Sequence, residues 1–238
     1  MELEGFYSGD PNITREEDHS DVSFSLGGNY LLNERSAIYG NFVSAFRMPD
    51  YSSYSPVRQT SLESNPRIED NERITNIELG YRTGVGDLGI DLGFFYTKIN
   101  NRLATIYEGA VAVQRPLGTN LIKGGELALV YAPSAVKGLL LRGSVTYQDA
   151  TFDEFNIAVT DNINPSGSLY GNTSITDDDG NQLLDLEGNQ IPRVPSLLLN
   201  FGASYNHKYF GLNAILTHFG NRYADATNIF KQDDITNI

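Results

Sequence analysis

The glycines of the segment TGVGDLGIDLGFFYTKI match the Gly-x-Gly-x-x-Gly fingerprint of dinucleotide-binding proteins at Gly84, Gly86 and Gly89. That fingerprint binds a pyrophosphate only where a strand runs into the glycines and a helix begins on them. From Leu88 onward, however, the residues alternate with a period of two, which is typical of a strand. We therefore interpret residues 84–87 as a tight turn between two strands and predict no nucleotide site.

Residue types that carry out catalysis or bind metals are sparse. His19, His207 and His218 are scattered over the chain, there is no cysteine, and neither an HExxH nor a GxSxG motif occurs. Without paired ligands or a nucleophile beside a base, neither a metal centre nor a catalytic triad is supported. We predict that the protein is not an enzyme and has no catalytic residue, metal site or cofactor.

An acidic run, Asp177-Asp178-Asp179-Gly180, raises the question of calcium. If Gly180 were the sixth position of an EF-hand loop, Ile175 and Leu186 would occupy the first and twelfth positions, where oxygen ligands are required. An EF-hand is therefore excluded. A secreted, acidic calcium-binding adhesin stays open as an alternative, because clustered carboxylates attract hard cations without dedicated geometry.

The overall charge limits the partners. The 238-residue chain has 30 acidic and 17 basic residues, for a formal net charge of -13. Nucleic acid requires basic patches, so we predict no nucleic-acid partner. The average composition would suit a soluble protein. A membrane β-barrel has a similar average composition, however, because its strands alternate apolar and polar residues.

Nine segments are predicted as strands, and many are long enough to cross a bilayer at a tilt, which takes about 9–11 residues. They are roughly 1–7, 20–31, 36–46, 73–83, 88–100, 120–132, 138–149, 194–206 and 209–220.

Short and long connections alternate between these strands. Short turns are predicted at 32–35, 84–87, 133–137 and 207–208, and long polar excursions at 8–19, 47–72, 101–119, 150–193 and from 221 onward. An up-and-down sheet would collect all tight turns at one end, as outer-membrane barrels do. The pattern predicts an all-β fold: an antiparallel up-and-down meander, a partial transmembrane β-barrel of about nine strands.

Residue alternation separates the two faces of this predicted sheet. One parity is apolar, as in Ile77 and Leu79, and the other is polar, as in Asn76 and Glu78. The strand at 209–220 lacks a clean pattern, and its facing stays open. Four tyrosines near the short turns predict an aromatic girdle at a membrane interface; they are Tyr30, Tyr81, Tyr131 and Tyr205.

Seven segments come in the order and approximate spacing found in TonB-dependent outer-membrane receptors. They are SAFRMPD (44–50), NPRIEDNERITNIELGYR (65–82), FFYTKINNRL (94–103), IKGGELAL (122–129), LRGSVTYQDA (141–150), RVPSLLLNFGASY (193–205) and GNRYAD (220–225). Over nearly its whole length, the chain resembles the C-terminal part of that family's barrel. Asn71-Glu72 departs from the Pro-Glu that the family usually has.

The resemblance implies a transport function. Family members are barrels of about 22 strands with a plugged lumen, so we expect residues 1–238 to be a partial barrel without the plug domain or the C-terminal closing strand. Its implied role is uptake of a scarce nutrient, such as a ferric siderophore, cobalamin or glycan, in the outer membrane of a Gram-negative cell. Implied partners are outer-membrane lipid, the plug of the same protein, the TonB complex through that plug, and a small-molecule or metal-chelate ligand. An outer-membrane barrel enzyme, with His218 at the rim, stays open as a further alternative.

Two sets of site residues follow. Glu78 and Glu126 are predicted to project into the lumen from strands 73–83 and 120–132, two strands apart at similar height. The resemblance implies that they pair with two arginines of the plug, as the matching glutamates of the family do. A carboxylate shielded from bulk water needs a charged partner, and arginine can meet it with two hydrogen bonds. The second set lies in the loop at 47–72, where aromatic and charged side chains suit a bulky anionic or aromatic ligand; its members are Arg47, Asp50, Tyr51, Tyr54 and Arg58.

Overall fold

A computed structural model describes most of the chain. The described residues are 2–7, 10–18, 20–48, 71–108, 111–116, 118–158, 174–176 and 182–238. In this part of the chain there is no helix that is long and apolar enough to cross a membrane.

The described secondary structure consists of strands. They are β1 Glu2–Tyr7, β2 Asp10–Asp18, β3 Phe24–Asn33, β4 Ser36–Arg47, β5 Glu72–Val85, β6 Leu88–Asn100, β7 Leu103–Glu108, β8 Val111–Pro116, β9 Thr119–Tyr131, β10 Leu139–Glu154, β11 Asn156–Ala158, β12 Ser174–Thr176, β13 Gln182–Asp185, β14 Leu197–His207, β15 Phe210–Phe219, β16 Arg222–Tyr223, β17 Lys231–Gln232 and β18 Ile235–Asn237.

One antiparallel sheet dominates the fold. It has nine strands in the order β18-β15-β14-β10-β9-β6-β5-β4-β3, so neighbours in the sheet follow one another along the chain apart from the small hairpins inserted between them. The predicted all-β meander is confirmed, and the sheet does not close into a barrel. A soluble sandwich would need a second sheet packed face to face on the first, and the described strands form only small additional sheets of two or three strands.

The short turns occur where they were predicted. β5 and β6 are joined by Gly86 and Asp87, with Val85 paired to Leu88. Gly86 has a φ of +59°, which glycine adopts without steric cost in a two-residue hairpin turn. Because β6 begins at Leu88, no helix follows the glycines, and the turn interpretation of the fingerprint is confirmed.

Adjacent short turns are joined to each other. The carboxylate of Asp87 accepts hydrogen bonds from the backbone N (2.7 Å) and Oγ (2.9 Å) of Ser134 in the next turn. These bonds hold the pKa of Asp87 below its ordinary value of 3.8. The turn end of the sheet is therefore linked by side chains as well as by the ladder.

Both ends of the predicted strand order need correction. The first predicted strand forms a separate hairpin, β1–β2, and its second strand lies in what was predicted as a polar excursion. At the other end, Ile235–Asn237 was predicted as loop but pairs with β15 as the ninth strand of the main sheet. A hairpin outside the main sheet needs no strong apolar alternation, and a strand of three residues is too short to show one.

The two faces of the sheet differ as predicted. The face that carries Leu79, Phe94 and Leu129 is called the apolar face. The face that carries Glu78, Asp91 and Glu126 is called the polar face. Large hydrophobic side chains on the apolar face remain exposed, for example Leu79 at 60% and Phe94 at 59%. The pairing also settles β15: Leu216 lies opposite Phe201 on the apolar face, while Ile215 lies opposite Gly202 on the polar face.

The sheet is staggered. Ser36, at the first turn, pairs with Thr83, two residues before β5 ends at Val85. Leu139, at the third turn, pairs with Tyr205, two residues before β14 ends at His207. Such stepwise offsets in one direction mean that the strands tilt relative to the line of turns, as in a barrel wall.

Aromatic residues gather at the turn end. The ring of His207 lies 6.4 Å from Tyr205 and 5.1 Å from Phe210, and Lys208 Nζ lies 4.4 Å from the centre of the Tyr209 ring. The four predicted girdle tyrosines all lie on main-sheet strands, and their register places them on the apolar face. Amphipathic rings at this level suit a membrane–water interface.

The buried core lies at the loop end. Phe152, Phe155, Leu184 and Leu186 are 5% exposed or less, and the rings of Phe152 and Phe155 stack with centroids 4.4 Å apart. These residues join the long end of β10 to the segment after β13. This core therefore attaches the segment around β13 to the loop end of β10, and it does not lie between two sheet layers.

Candidate functional site

Glu78 and Glu126 lie on the polar face, two strands apart. Glu78 in β5 pairs with Phe95 of β6, and Glu126 in β9 pairs with Gly93 of the same strand. The two glutamates are therefore offset by two residues of register, which is about 7 Å along a strand. Thr146 Oγ1 donates to Glu126 (3.2 Å) and Asn76 Nδ2 donates to Glu78 (3.4 Å).

Glycines make room between the two glutamates. A Cβ on Gly80 would lie 2.1 Å from Cζ of Tyr39, so the tyrosine ring crosses β5 directly over this glycine. A Cβ on Gly124 would lie 2.6 Å from Cζ of Phe95, so that ring crosses β9 in the same way. We call the space between them the glutamate notch, lined by Tyr39, Glu78, Leu79, Arg82, Asp91, Gly93, Phe94, Phe95, Glu126 and Ala128, with a volume of about 290 Å³.

A hydrogen-bond network fixes one wall of the notch. The Tyr39 hydroxyl donates to Asp91 Oδ1 (2.8 Å), and Arg82 Nε donates to Asp91 Oδ2 (2.7 Å). The Arg82 guanidinium also lies 5.4 Å from the centre of the Tyr39 ring. Tyr39, on β4, is thereby bonded across β5 to a residue of β6, which holds its ring in place.

The charge of the notch favours a cation. Its lining has three carboxylates, those of Glu78, Asp91 and Glu126, and one guanidinium, that of Arg82, so the formal sum is minus two. Beside Glu78, the buried Oδ1 of Asn76 has no hydrogen-bond partner in the described part of the chain. Asn76 is not itself among the lining residues, so the preference of the notch for an N–H donor group rests on its carboxylates.

The sequence pattern identified the two glutamates but missed the residues that shape the space around them. Tyr39 occupies the polar parity of β4 and shows no motif. A usable signal would have been the glycines Gly80 and Gly93, which are paired across β5 and β6. Glycines within long strands often mark a place where another group approaches the sheet closely, and here that group is the Tyr39 ring.

Of the predicted ligand-loop residues, Arg47 is described. It is the last residue of β4, pairs in register with Glu72, and its Nη1 lies 4.0 Å from Glu72 Oε2. Glu72 is 2% exposed and also accepts a hydrogen bond from Arg102 Nη1 (2.9 Å). Arg47 thus belongs to an ionic cluster at the base of the loop, in which Glu72 is buried and both arginines are partly exposed. Asp50, Tyr51, Tyr54 and Arg58 lie outside the described residues.

Two observations bear on the alternative functions, a calcium-binding adhesin and a barrel enzyme with His218 at its rim. Among the described residues there is no group of three His, Asp or Glu that could hold a metal ion, and Asp177–Asp179 lie outside them. His218 pairs with Leu199 on the apolar face, and its Nδ1 lies 2.9 Å from Thr236 Oγ1. His218 therefore lies on the apolar face and not on the polar face that carries the two glutamates.

The segment after β15 forms a second ordered element at the loop end. The carboxylate of Asp225 accepts hydrogen bonds from the backbone N of Thr227 (3.0 Å) and Phe230 (2.8 Å). Asn228 then docks on the neighbouring loop through paired bonds with the backbone N (2.6 Å) and O (2.8 Å) of Gln190. Asp225 shapes the turn and Asn228 attaches it to the structure that follows β13.

The loop that Asp225 closes is expected to open in acid. Partial burial acts to raise the pKa of Asp225, but the hydrogen bonds from Thr227, Phe230 and Ile229 outweigh it, and the pKa lies below the ordinary 3.8. The stabilisation is therefore fully present above pH 3.8 and is lost as the pH falls through the lower folded-state pKa. Hydrogen exchange at residues 225–230, corrected for intrinsic rates, should rise below this pH. In Asp225→Asn the exchange should be fast and nearly independent of pH; retention of the acid transition in that variant would contradict the assignment.

Comparison with known proteins covers almost the entire chain. The family model "TonB dependent receptor-like, beta-barrel" matches residues 4–238. No curated protein sequence is significantly similar.

Solved structures share the fold at low sequence identity. The ferric yersiniabactin uptake receptor FyuA from Yersinia pestis aligns with a TM-score of 0.60 and 16% identity, over 94% of this chain and 29% of that one. The FrpB iron transporter from Neisseria meningitidis aligns at 0.60 and 16%, over 95% and 32%. The copper transporter OprC aligns at 0.62 and 16%, over 94% and 31%. The chain thus spans about a third of the length of the structures it matches.

Proposed function

Because this chain belongs to the TonB-dependent receptor-like β-barrel family, we propose that it forms part of the wall of an outer-membrane receptor that imports a scarce nutrient. The main support is the nine-stranded meander with one exposed apolar face, one polar face and its tight turns at one end. An apolar band facing outward and a polar interior are what a bilayer requires of a barrel wall. In this proposal the apolar face contacts lipid and the polar face lines the lumen.

The proposed cargo is a metal chelate, such as a ferric siderophore. Structures with nearly equal similarity are named for ferric yersiniabactin, iron and copper, so the class of cargo has support but the individual compound does not. The loop at 47–72 is proposed to contact this cargo through Asp50, Tyr51, Tyr54 and Arg58, with Arg47 anchoring its first residues to Glu72.

Uptake by cells tests the proposal. Deleting the gene for the full-length protein should reduce accumulation of its radiolabelled metal chelate and growth when that metal is scarce, and removing TonB should have the same effect. Cobalamin and a glycan serve as competing cargoes in the same assay. If the deletion changes uptake of none of these, or if the protein fractionates away from the outer membrane, the proposed function is wrong.

The proposed partner of the glutamate notch is the plug domain of the same protein. Its net negative charge and the aromatic side chains of Tyr39, Phe94 and Phe95 in its lining suit a guanidinium. Arginine can bond a carboxylate with two parallel N–H groups and can also lie against an aromatic ring. We infer that one arginine of the plug meets Glu78 and another meets Glu126.

Replacing both glutamates by alanine in the full-length receptor is expected to loosen the plug. Each arginine left without its carboxylate would cost about 3–5 kcal/mol in a buried site. The expected result is greater sensitivity to a large antibiotic and faster hydrogen exchange of the plug, with binding of the cargo retained.

Two further variants separate charge from other effects. Asp233→Ala with Asp234→Ala removes the same charge from exposed positions outside the main sheet and should leave both readouts unchanged. Glu78→Gln with Glu126→Gln keeps the shape of the side chains and should loosen the plug nearly as much as the alanine pair. Wild-type leakage and exchange in both glutamate variants would refute the plug contact without affecting the proposal of uptake.

A further inference from the structure

The polar face changes its chemistry towards the turn end of β9, β10, β14 and β15. One row of paired residues crosses these four strands there, made up of Val130, Arg142, Gly202 and Ile215. Because glycine has no side chain, Gly202 leaves a gap of about 10 Å, two strand spacings, between the backbones of Arg142 and Ile215. We call the resulting depression the Gly202 hollow; its volume is about 420 Å³.

Exposed apolar side chains flank the hollow, although it lies on the polar face. Ile215 is 67% and Val130 44% exposed. A Cβ on Gly202 would meet nothing within 4 Å, so the floor of the hollow has room for a side chain from another part of the protein. Apolar surface in contact with water is unfavourable. This part of the wall therefore favours an occupant that brings an apolar side chain.

The cation beside the hollow has no partner in the described part of the chain. No described residue forms an ion pair or a hydrogen bond with the guanidinium of Arg142. The adjacent strand β14 contains no carboxylate, and β9 contains none between Glu126 and the turn. Asp91, on the same face of β6, is already bonded to Tyr39 and Arg82. A guanidinium shielded from water requires a charged partner, and a carboxylate can accept two parallel hydrogen bonds from it.

The hollow and the glutamate notch carry opposite charges. Thr146 pairs with Glu126, and Arg142 lies four residues from Thr146 towards the turn end of β10. Four residues extend about 13 Å along a strand. The polar face therefore presents a negative site and, farther towards the turns, a positive site. An occupant of the lumen that carries both complementary charges satisfies them in one orientation only, because turning it over exchanges the charges.

We propose that the Gly202 hollow binds an acidic segment of the plug domain. One carboxylate of this segment meets Arg142, and a neighbouring apolar side chain lies over Gly202 against Ile215. This inference rests on the proposed function, because that function places the polar face in the lumen and the plug within it. The hollow adds a contact of opposite charge to the one inferred at the glutamate notch. Together the two contacts fix the height and the orientation of the plug in the barrel.

The first test locates the occupant in the full-length receptor. Ile215 is replaced by the photoreactive residue p-benzoylphenylalanine, and Leu216, its neighbour on the apolar face, is replaced in a control. Irradiation should join residue 215 to a plug peptide that contains Asp or Glu, whereas residue 216 should form no plug adduct. Adducts of residue 215 with lipid, with detergent or with a second receptor, and none with the plug, would assign the hollow another occupant and overturn the proposal.

The second test examines the charge. In Arg142→Glu, hydrogen exchange of the crosslinked plug peptide should rise about tenfold or more, because losing one partner of a shielded ion pair is strongly destabilising. Replacing the plug carboxylate by arginine in the same receptor should return exchange to nearly the wild-type rate. Lys137→Glu changes the same charge in an exposed short turn and should leave exchange unchanged. Equal exchange in Arg142→Glu and Lys137→Glu, or no recovery in the swapped pair, would contradict the contact.

A third test fills the hollow. Gly202→Leu adds a side chain whose Cβ meets nothing of the wall within 4 Å, and it should expel the plug side chain and speed plug exchange. Gly28→Leu is the matched control, because a Cβ there is equally free and its register with Gly40 and Leu79 places it on the apolar face. Equal plug exchange in the two variants would refute the hollow as a plug contact.

The outcomes separate this proposal from the proposed function. If any of these tests fails while the wild-type receptor imports its cargo, the plug contact at the hollow is wrong and the proposed function stands. A wild-type receptor that lies outside the outer membrane would overturn both.

Discussion

Gly80→Ala is expected to displace Tyr39 and collapse one wall of the glutamate notch. The new methyl group would lie 2.1 Å from Tyr39 Cζ and 2.3 Å from its hydroxyl oxygen, well inside van der Waals contact. Because that hydroxyl is bonded to Asp91, the ring cannot move without breaking the bond. Overpacking of this kind costs about 1–3 kcal/mol.

The effect of Gly80→Ala is measured on both the stability of the receptor and the retention of its plug. The urea midpoint of the full-length receptor should fall, and leakage of a large antibiotic should rise because the notch no longer holds its occupant. Gly84→Ala is a matched control on the same strand and the same face, since a Cβ there meets nothing within 4 Å. Tyr39→Ala added to Gly80→Ala should relieve the clash and recover part of the midpoint. If Gly80→Ala and Gly84→Ala behave alike, the crossing of Tyr39 over Gly80 is not a determinant of the notch.

Gly118→Ala is expected to cause the largest loss of stability at the loop end. Gly118 precedes β9 with a φ of +89°, and a Cβ would lie 1.6 Å from the backbone oxygen of Glu154. The obstructing atom belongs to the backbone, so no side-chain rotation can relieve the clash. Steric overlap and the unfavourable φ together should cost about 3 kcal/mol or more.

The matched control for this substitution is Gly188→Ala. Gly188 has a similar φ of +79°, but a Cβ there meets nothing within 4 Å. That variant therefore measures the conformational cost alone, about 1–2 kcal/mol. Urea unfolding of both variants in the full-length receptor gives the difference. Equal midpoints would mean that the ends of β9 and β10 are not in the close contact seen here.

The alternation of residues predicted most of the main sheet because it is a local property. Ile77 and Glu78 take opposite faces in any strand that contains both, whatever its partner. The turns were equally local, since Gly86 is suited to positive φ wherever it lies. These signals were enough to predict the long strands, the separation of short turns from long loops, and the face on which both glutamates lie.

Pairing partners decided what the alternation left open. Ile215 is apolar beside apolar neighbours, and only its register opposite Gly202 places it on the polar face. β18 is too short for a periodic signal, and it is a strand because β15 offers free backbone groups to Thr236 and its neighbours. An unpaired strand edge accepts almost any extended segment, so its sequence carries little information.

By itself, then, the sequence determined the all-β class, the position of the tight turns and the polar facing of Glu78 and Glu126. Only the tertiary structure decided what surrounds those glutamates. Tyr39 and Gly80 are 41 positions apart in the chain, and Tyr39 and Asp91 are 52 apart. Their contact depends on the register of β4, β5 and β6 together. Backbone hydrogen bonds between strands set that register, and a periodicity of two within each strand cannot specify it.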